Sequence, residues 1–306
     1  YEPFWYRTFR FIRIQIEADL EEVAIFEPTF KKTGYPLEVE SWVSSSQSWV
    51  EEVWKICVRT LENCMMDTYM DCPFYEQMQF SMDTRLQAMF NYAVSGDVRL
   101  ARKALEDFHS SMLPDGLIQG KYPSAYGQVI STFSLHYIFM LLEYYQQTND
   151  IETVKRYRSD VDTILEYYDR KIGVDGLVGS LGYWEFVDWQ EVWSETAGMP
   201  TARLKGPSTI INLMYAYGLK CGAVLYEATG RNGVADEYRM RQKSITSKVQ
   251  QLCWDENVGM YREGPEVNQF SQHAQSWAIL NDMTDKQKSR EILKRSIENN
   301  FVIQCS

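Results

Sequence analysis

Three carboxylates and an aromatic ring lie close together in Asp71-Cys72-Pro73-Phe74-Tyr75-Glu76-Gln77-Met78-Gln79-Phe80-Ser81-Met82-Asp83-Thr84-Arg85. Proline is favoured at the first helical position, so the stretch predicts a short helix from Pro73, capped by Asp71 or Cys72. In that helix Glu76, Phe80 and Asp83 fall at i, i+4 and i+7, on one face. Two acids flanking a ring suit a sugar: the ring offers an apolar platform, and the acids serve hydroxyls or a glycosidic oxygen. Taken as an isolated spacing, the same acids are better explained by the solvated face of an amphipathic turn.

Two further stretches carry residues of the same kind. Residues 173–206 hold Trp184, Trp189 and Trp193 together with Asp175, Glu185, Asp188, Glu191 and Glu195. So many aromatics in one inter-helix segment must either pack onto the body of the protein or meet a ligand. For Trp189 the two readings are balanced, and for Trp193 the packing role leads. Residues 113–129 carry Asp115-Gly116, Lys121-Tyr122-Pro123 and Tyr126, which suit either a cleft wall or solvated turns. His273, in Ser271-Gln272-His273-Ala274-Gln275, lies near a predicted helix start, where a hydrogen-bonded core or cap role competes with a ligand role.

The string from Asp71 to Asp83 resembles the signature of the bacterial α-L-rhamnosidases, inverting glycosidases whose catalytic domain is an (α/α)6 barrel. Gly182-Tyr183-Trp184-Glu185-Phe186-Val187-Asp188-Trp189 is similar to that family's active-site loop, and Ser271–Gln275 to a later segment. The chain departs from the commoner pattern at Tyr75, where Arg is usual, and at Phe80, near which Trp is usual. The resemblance implies a glycoside hydrolase that releases terminal α-L-rhamnose, with Glu76 as general acid. Apolar neighbours Phe74, Met78 and Phe80 would keep Glu76 protonated by desolvation. Asp71 and Asp83 would stay ionised and bind rhamnose hydroxyls. Phe80, Trp184, Asp188 and Trp189 would line the sugar site, with His273 a further contact. The family's general base is a Glu late in the barrel. Its motif is not found here, so the base is expected beyond Ser306. Two alternatives stay open: a non-catalytic glycan-binding barrel, and a related (α/α)6 glycosidase acting on another sugar.

Composition narrows the partners. A formal charge of −11 argues against nucleic acid, whose phosphates require Lys and Arg clusters. No window is apolar enough for a membrane span. Nine Trp and twenty Tyr exceed what a core of this size needs, and part of the surplus is expected to line a carbohydrate cleft. The six cysteines lack C-x2-C spacing, so neither a zinc site nor a disulfide framework is expected. Reduced thiols point to a bacterial cytoplasm rather than a periplasmic or secreted setting. No cofactor or metal is implied.

The elements that must position these residues are mostly helical. Residues 1–40 read as trailing strands of a β-sandwich or a linker, from the alternation at Phe9, Phe11, Ile12, Ile14 and Ile16. Residues 41–306 read as the barrel. Ser46 or Ser48 caps a first helix bearing Val50, Val53, Trp54, Cys57 and Leu61. Further helices are predicted over 82–95, 97–112, 130–147, 151–171, 207–229, 233–252, 268–281 and 285–299. The fold class is therefore mainly α, an (α/α)6 toroid with a short N-terminal β segment. It is expected to be about three helices short at its C-terminal end. The inner faces so exposed predict a homodimer, and the apolar run 301–303 is left without a partner.

Overall fold

The computed structural model describes residues 4–19, 22–27 and 29–305. Nine α-helices occur among them: α1 (Ser48–Asn63), α2 (Ser81–Val94), α3 (Arg99–Ser110), α4 (Ser131–Thr148), α5 (Ile151–Asp169), α6 (Thr209–Ala228), α7 (Asn232–Cys253), α8 (Gln272–Leu280) and α9 (Lys286–Glu298). Burial sorts them into two layers. Every residue of α4 from Ser131 to Leu142 is buried, and α6 is buried nearly all round, as expected for helices enclosed on every side. By contrast α3, α5 and α9 are amphipathic, and α7 exposes much of its length. The inner helices pack in sequence, α2 on α4, α4 on α6 and α6 on α8, with the odd-numbered helices outside them. This is the stacking of α-hairpins expected of an (α/α)6 ring.

Loop length follows the same alternation. The connections from an inner helix to the next outer one, 95–98, 149–150, 229–231 and 281–285, are short. The connections from an outer helix to the next inner one, 64–80, 111–130, 170–208 and 254–271, are long. All the long loops therefore gather where the inner helices begin, and the site is built there. At the edge of the ring, Val53 and Ile56 of α1 and Leu86, Met89 and Phe90 of α2 are exposed.

Four expectations are corrected. The first helix has Gln47 at its N-cap without a side-chain cap bond, and Cys57 and Val53 face solvent instead of the core. Residues 5–40 carry no strand ladder among the described residues. Phe9, Phe11, Ile12, Ile14 and Ile16 are exposed, because an alternating segment becomes a strand only where an edge pairs its backbone. From Tyr35 onward the segment docks on the helices, with Tyr35 N donating to Met65 O and Tyr35 OH to Asp97 Oδ2, 2.6 Å.

The third and fourth corrections concern a small sheet near the C-terminal end. Its strands are β1 (Trp254–Asp255), β2 (Met260–Gly264), β3 (Val267–Ser271) and β4 (Val302–Ile303), in that order. The helix predicted from residue 268 begins only at Gln272, since Val267 and Phe270 are buried in a strand. The 301–303 run does have a partner: β4 pairs in parallel with β3, Phe270 opposite Val302 and Ser271 opposite Ile303. β1, β2 and β3 pair antiparallel in succession. No helix among the described residues is long and apolar enough to cross a membrane. All six cysteines are unpaired, and Cys64, Cys221 and Cys253 are buried.

Candidate active site

The stretch 71–80 is a closed loop, not a helix. Pro73 to Glu76 make a turn that Gln77 ends with a left-handed φ of 54°. Asp71 closes the loop instead of capping it: its N–H donates to Met78 O (3.0 Å), and Met78 N donates to Asp71 Oδ1 (3.1 Å). Phe80 then stands at the N-cap of α2, and Asp83 lies in the first helical turn, where the helix dipole favours an acid. The acids and the ring are thus brought together, but by a loop leading into a helix N-terminus and not by one helical face.

Glu76 keeps access to solvent, yet it holds its proton above the ordinary glutamate range. Partial burial is the first cause, the charge of Asp71 the next, and Asp83 adds a smaller push, while Lys121 opposes them. Of the apolar neighbours expected to do this, Phe74 does not contribute: it is exposed and set edge-on to Tyr75 at 5.0 Å. Burial also lifts Asp83 to about 6.

An aromatic wall runs from Phe80 to Trp189. Phe80 meets Phe133 of α4 edge-on at 6.4 Å, and Phe133 meets Phe186 at 5.9 Å. Phe186 in turn contacts Trp184 at 5.2 Å and Trp189 at 5.0 Å. Ser131 N donates to Trp184 O (2.9 Å), tying this loop to the start of α4, and Trp184 Nε1 donates to Ala197 O (2.9 Å). Gly198 has a φ of 78°, and a Cβ there would stand 2.5 Å from the Phe186 ring, so only glycine lets ring and backbone meet. Trp189 remains 65% exposed, an uncovered ring at the end of the wall.

Asp188 and His273 form a pair. His273 Nε2 lies 2.8 Å from Asp188 Oδ2, to which Gln190 Nε2 also donates (2.9 Å). Burial lowers the proton affinity of His273, against the pull of Asp188. The fully buried Trp193 packs on the imidazole at 5.1 Å, which fulfils its packing role. Glu185, a further acid of the loop, is committed elsewhere. It is buried in an ion pair with Arg203 and accepts from Leu181 N (2.9 Å). Tyr183 turns the opposite way to donate to Asp115 Oδ2 (2.6 Å). A concavity of about 480 Å3 lined by Asp115, Arg170, Lys171 and Tyr183 contains none of the predicted site residues.

Three features take their place only in the folded chain. Phe133 and Phe186 complete the wall, but both sit in apolar surroundings that read only as core. Lys121 reaches the Phe80 ring, its Nζ 5.9 Å from the centroid. Glu263 on β2 is fully buried, accepts from Ser271 Oγ, and is pushed up to about 7 by burial. Ser271 also caps α8 by accepting from Ala274 N (3.1 Å).

The bacterial α-L-rhamnosidase six-hairpin glycosidase domain, as a family model, matches residues 38–301. Among solved structures, the rhamnosidase of Bacillus sp. GL1 superposes with a TM-score of 0.80 at 24% identity, over 89% of this chain and 28% of that one. The rhamnosidase of Klebsiella oxytoca, described with rhamnose bound, gives 0.76 at 23%, over 88% and 51%. The α-L-rhamnosidase of Streptomyces avermitilis, complexed with L-rhamnose, gives 0.64 at 13%, over 83% and 23%. A search of curated proteins finds no match. The chain thus spans between about a quarter and a half of the length of these three structures, and the likeness to them establishes the fold. With a family model covering most of its length, the chain belongs to the bacterial α-L-rhamnosidase six-hairpin glycosidase family.

Proposed function

We propose that this domain hydrolyses terminal α-L-rhamnosides with inversion, and that Glu76 protonates the departing oxygen. The observation that carries this reading is the state of Glu76. It is a solvent-accessible carboxyl with raised proton affinity, flanked by Asp71 and Asp83 and by the start of an aromatic wall. A general acid must be protonated near the working pH and open to the leaving group. Asp71 and Asp83 bind sugar hydroxyls, Phe80, Trp184 and Trp189 offer apolar faces to the pyranose, and the Asp188–His273 pair orients its far side.

Inversion also needs a carboxylate about 6.5–9.5 Å from the acid to activate water. Glu185 is unsuited to this, being closed by Arg203. In this reading the base is a carboxylate other than Glu185. The test is turnover by the full-length protein of aryl α-L-rhamnosides against a panel of other aryl glycosides, with the released anomer followed by NMR. Release of β-L-rhamnose first supports the proposal. Rhamnose binding without turnover would leave a glycan-binding module, and turnover of another sugar alone would move the substrate.

A further inference from the structure

We propose that Lys121 is a substrate-binding residue of this site, its ammonium held at the Phe80 ring beside Glu76 to donate to a hydroxyl of the bound sugar. The proposal rests on the glycosidase reading above and adds to it a residue from a different loop.

The backbone around Lys121 is fastened on both sides to the strand-like entry of α2. Ser81 N donates to Gly120 O (3.0 Å) and Tyr122 N to Gln79 O (3.1 Å), with Phe80 opposite Lys121 in an antiparallel bridge. The buried side chain of Gln79 adds a third tie, donating to Tyr122 O at 2.8 Å. Lys121 therefore enters the site from a clamped position, not from a free loop tip. Its Nζ stands 5.9 Å from the Phe80 centroid, at the same ring proposed to face the sugar.

What distinguishes Lys121 is that its charge is uncommitted. Arg85, in the same stretch as the acids, is bound to Glu143 at 2.6 Å. Arg203, below the Trp184 loop, is bound to Glu185. Lys121 makes no ion pair or side-chain hydrogen bond among the described residues, although its charge acts on the Glu76 carboxyl. An ammonium carries three donors, and one half-buried at a ring face with no acceptor bound among the described residues is a donor set open to an acceptor. A neutral sugar's hydroxyls supply that acceptor, and charge-assisted bonds of this kind discriminate strongly.

The groups facing Glu76 are Asp71 from its own loop, Asp83 from α2 and Lys121 from the 111–130 loop. Only Lys121 favours the charged carboxylate. Removing it should raise the proton affinity of Glu76 and carry the basic limb of the activity profile to higher pH. A residue with a merely structural role would not do so.

The experiment compares wild-type, Lys121→Met and Lys121→Arg forms of the full-length enzyme. It measures kcat and KM on an aryl rhamnoside across pH, L-rhamnose affinity by calorimetry, and the carboxyl 13C titration of Glu76. The expected result for Lys121→Met is a KM and a rhamnose Kd raised about 10- to 100-fold. The basic limb and the Glu76 titration should both shift upward, and Lys121→Arg should recover part of each. Unchanged affinity and an unchanged limb at wild-type melting temperature would overturn the proposal. If Lys121→Met does not fold, Lys121→Gln takes its place, and wild-type rhamnose affinity in that variant overturns the proposal equally. Should the wild-type enzyme neither bind nor hydrolyse rhamnosides, the functional reading falls. The Glu76 titration then still reports whether Lys121 acts on the acid.

Discussion

His273 on α8 holds Asp188 in the loop before α6, Nε2 to Oδ2 at 2.8 Å. Because burial disfavours the imidazolium, the neutral ring donates from Nε2 to the carboxylate. That assignment leaves Nδ1 as an acceptor, and Nδ1 is buried with no partner among the described residues. Asp188 is held a second time by Gln190. The loop carrying Trp184 and Trp189 is thus fixed to the ring at two inner helices, through Ser131 at the start of α4 and His273 at the start of α8. Two residues that touch in this way should couple. In a double-mutant cycle of His273→Ala and Asp188→Ala followed by chemical unfolding, a coupling of about 1–3 kcal/mol is expected. Strict additivity would mean that the pair does not hold the loop.

Glu76→Gln should leave the fold intact, since the residue is at the surface of its loop and the bonds that close that loop come from Asp71, Gln77 and the backbone, not from the Glu76 carboxyl. In the full-length enzyme, kcat on unactivated rhamnosides should fall about 10²–10⁴-fold, the range that general acid catalysis supplies. Aryl substrates with acidic leaving groups should lose much less, because their departure needs little proton donation. Equal losses on both substrate types would remove Glu76 from the acid role.

The helical ring was legible in the sequence because helices announce themselves through periodicity and breaks. Observed bounds such as Ile151–Asp169 and Asn232–Cys253 follow the apolar pattern and the flanking turns. The segment around Pro73 was misread for a local reason. Proline at a helix start is permissive, and it does not reveal that Gln77 turns left-handed and that Asp71 spends its carboxylate on Met78. The β3 strand was hidden because Asn268, Gln269 and Phe270 lead straight into a helical pattern, and the strand exists only through its partners in β2 and β4. Lys121 and Glu263 could not be ranked from sequence, since what sets them apart is the lack of an ion pair among the described residues and complete burial, both tertiary properties.

Trp189 and Trp193 lie four residues apart and should answer mutation in opposite ways. Trp193 is completely buried against His273, so Trp193→Ala should cost about 3–5 kcal/mol of stability, as large aromatic truncations in cores do. Trp189 is mostly exposed, so Trp189→Ala should scarcely change the melting temperature and should raise KM. Thermal unfolding and steady-state kinetics on the two variants check this. A stability collapse in Trp189→Ala would make its ring an anchor of the loop and not a sugar platform.

Glu263 gives the chain a pH dependence of stability with a definite sign. The carboxyl is fully buried, its reference value is 4.5, and burial raises it to about 7 in the folded state. Its one hydrogen bond, from Ser271, pulls the other way but does not offset the desolvation. Between those two values the folded chain binds more protons at this site than the unfolded chain, so its contribution to stability falls as pH rises. The penalty is absent below about 4.5, grows through the window and is constant above about 7, reaching on the order of a few kcal/mol. Glu263→Gln keeps an acceptor for Ser271 and has no charge to bury. The variant should therefore gain stability over wild type at pH 8 and lose that advantage near pH 5, with the difference in melting temperature tracing the window. A difference that stays flat between pH 5 and pH 8 would show that Glu263 keeps the same charge in both states, and the sheet beneath α8 would then have to supply a counter-charge.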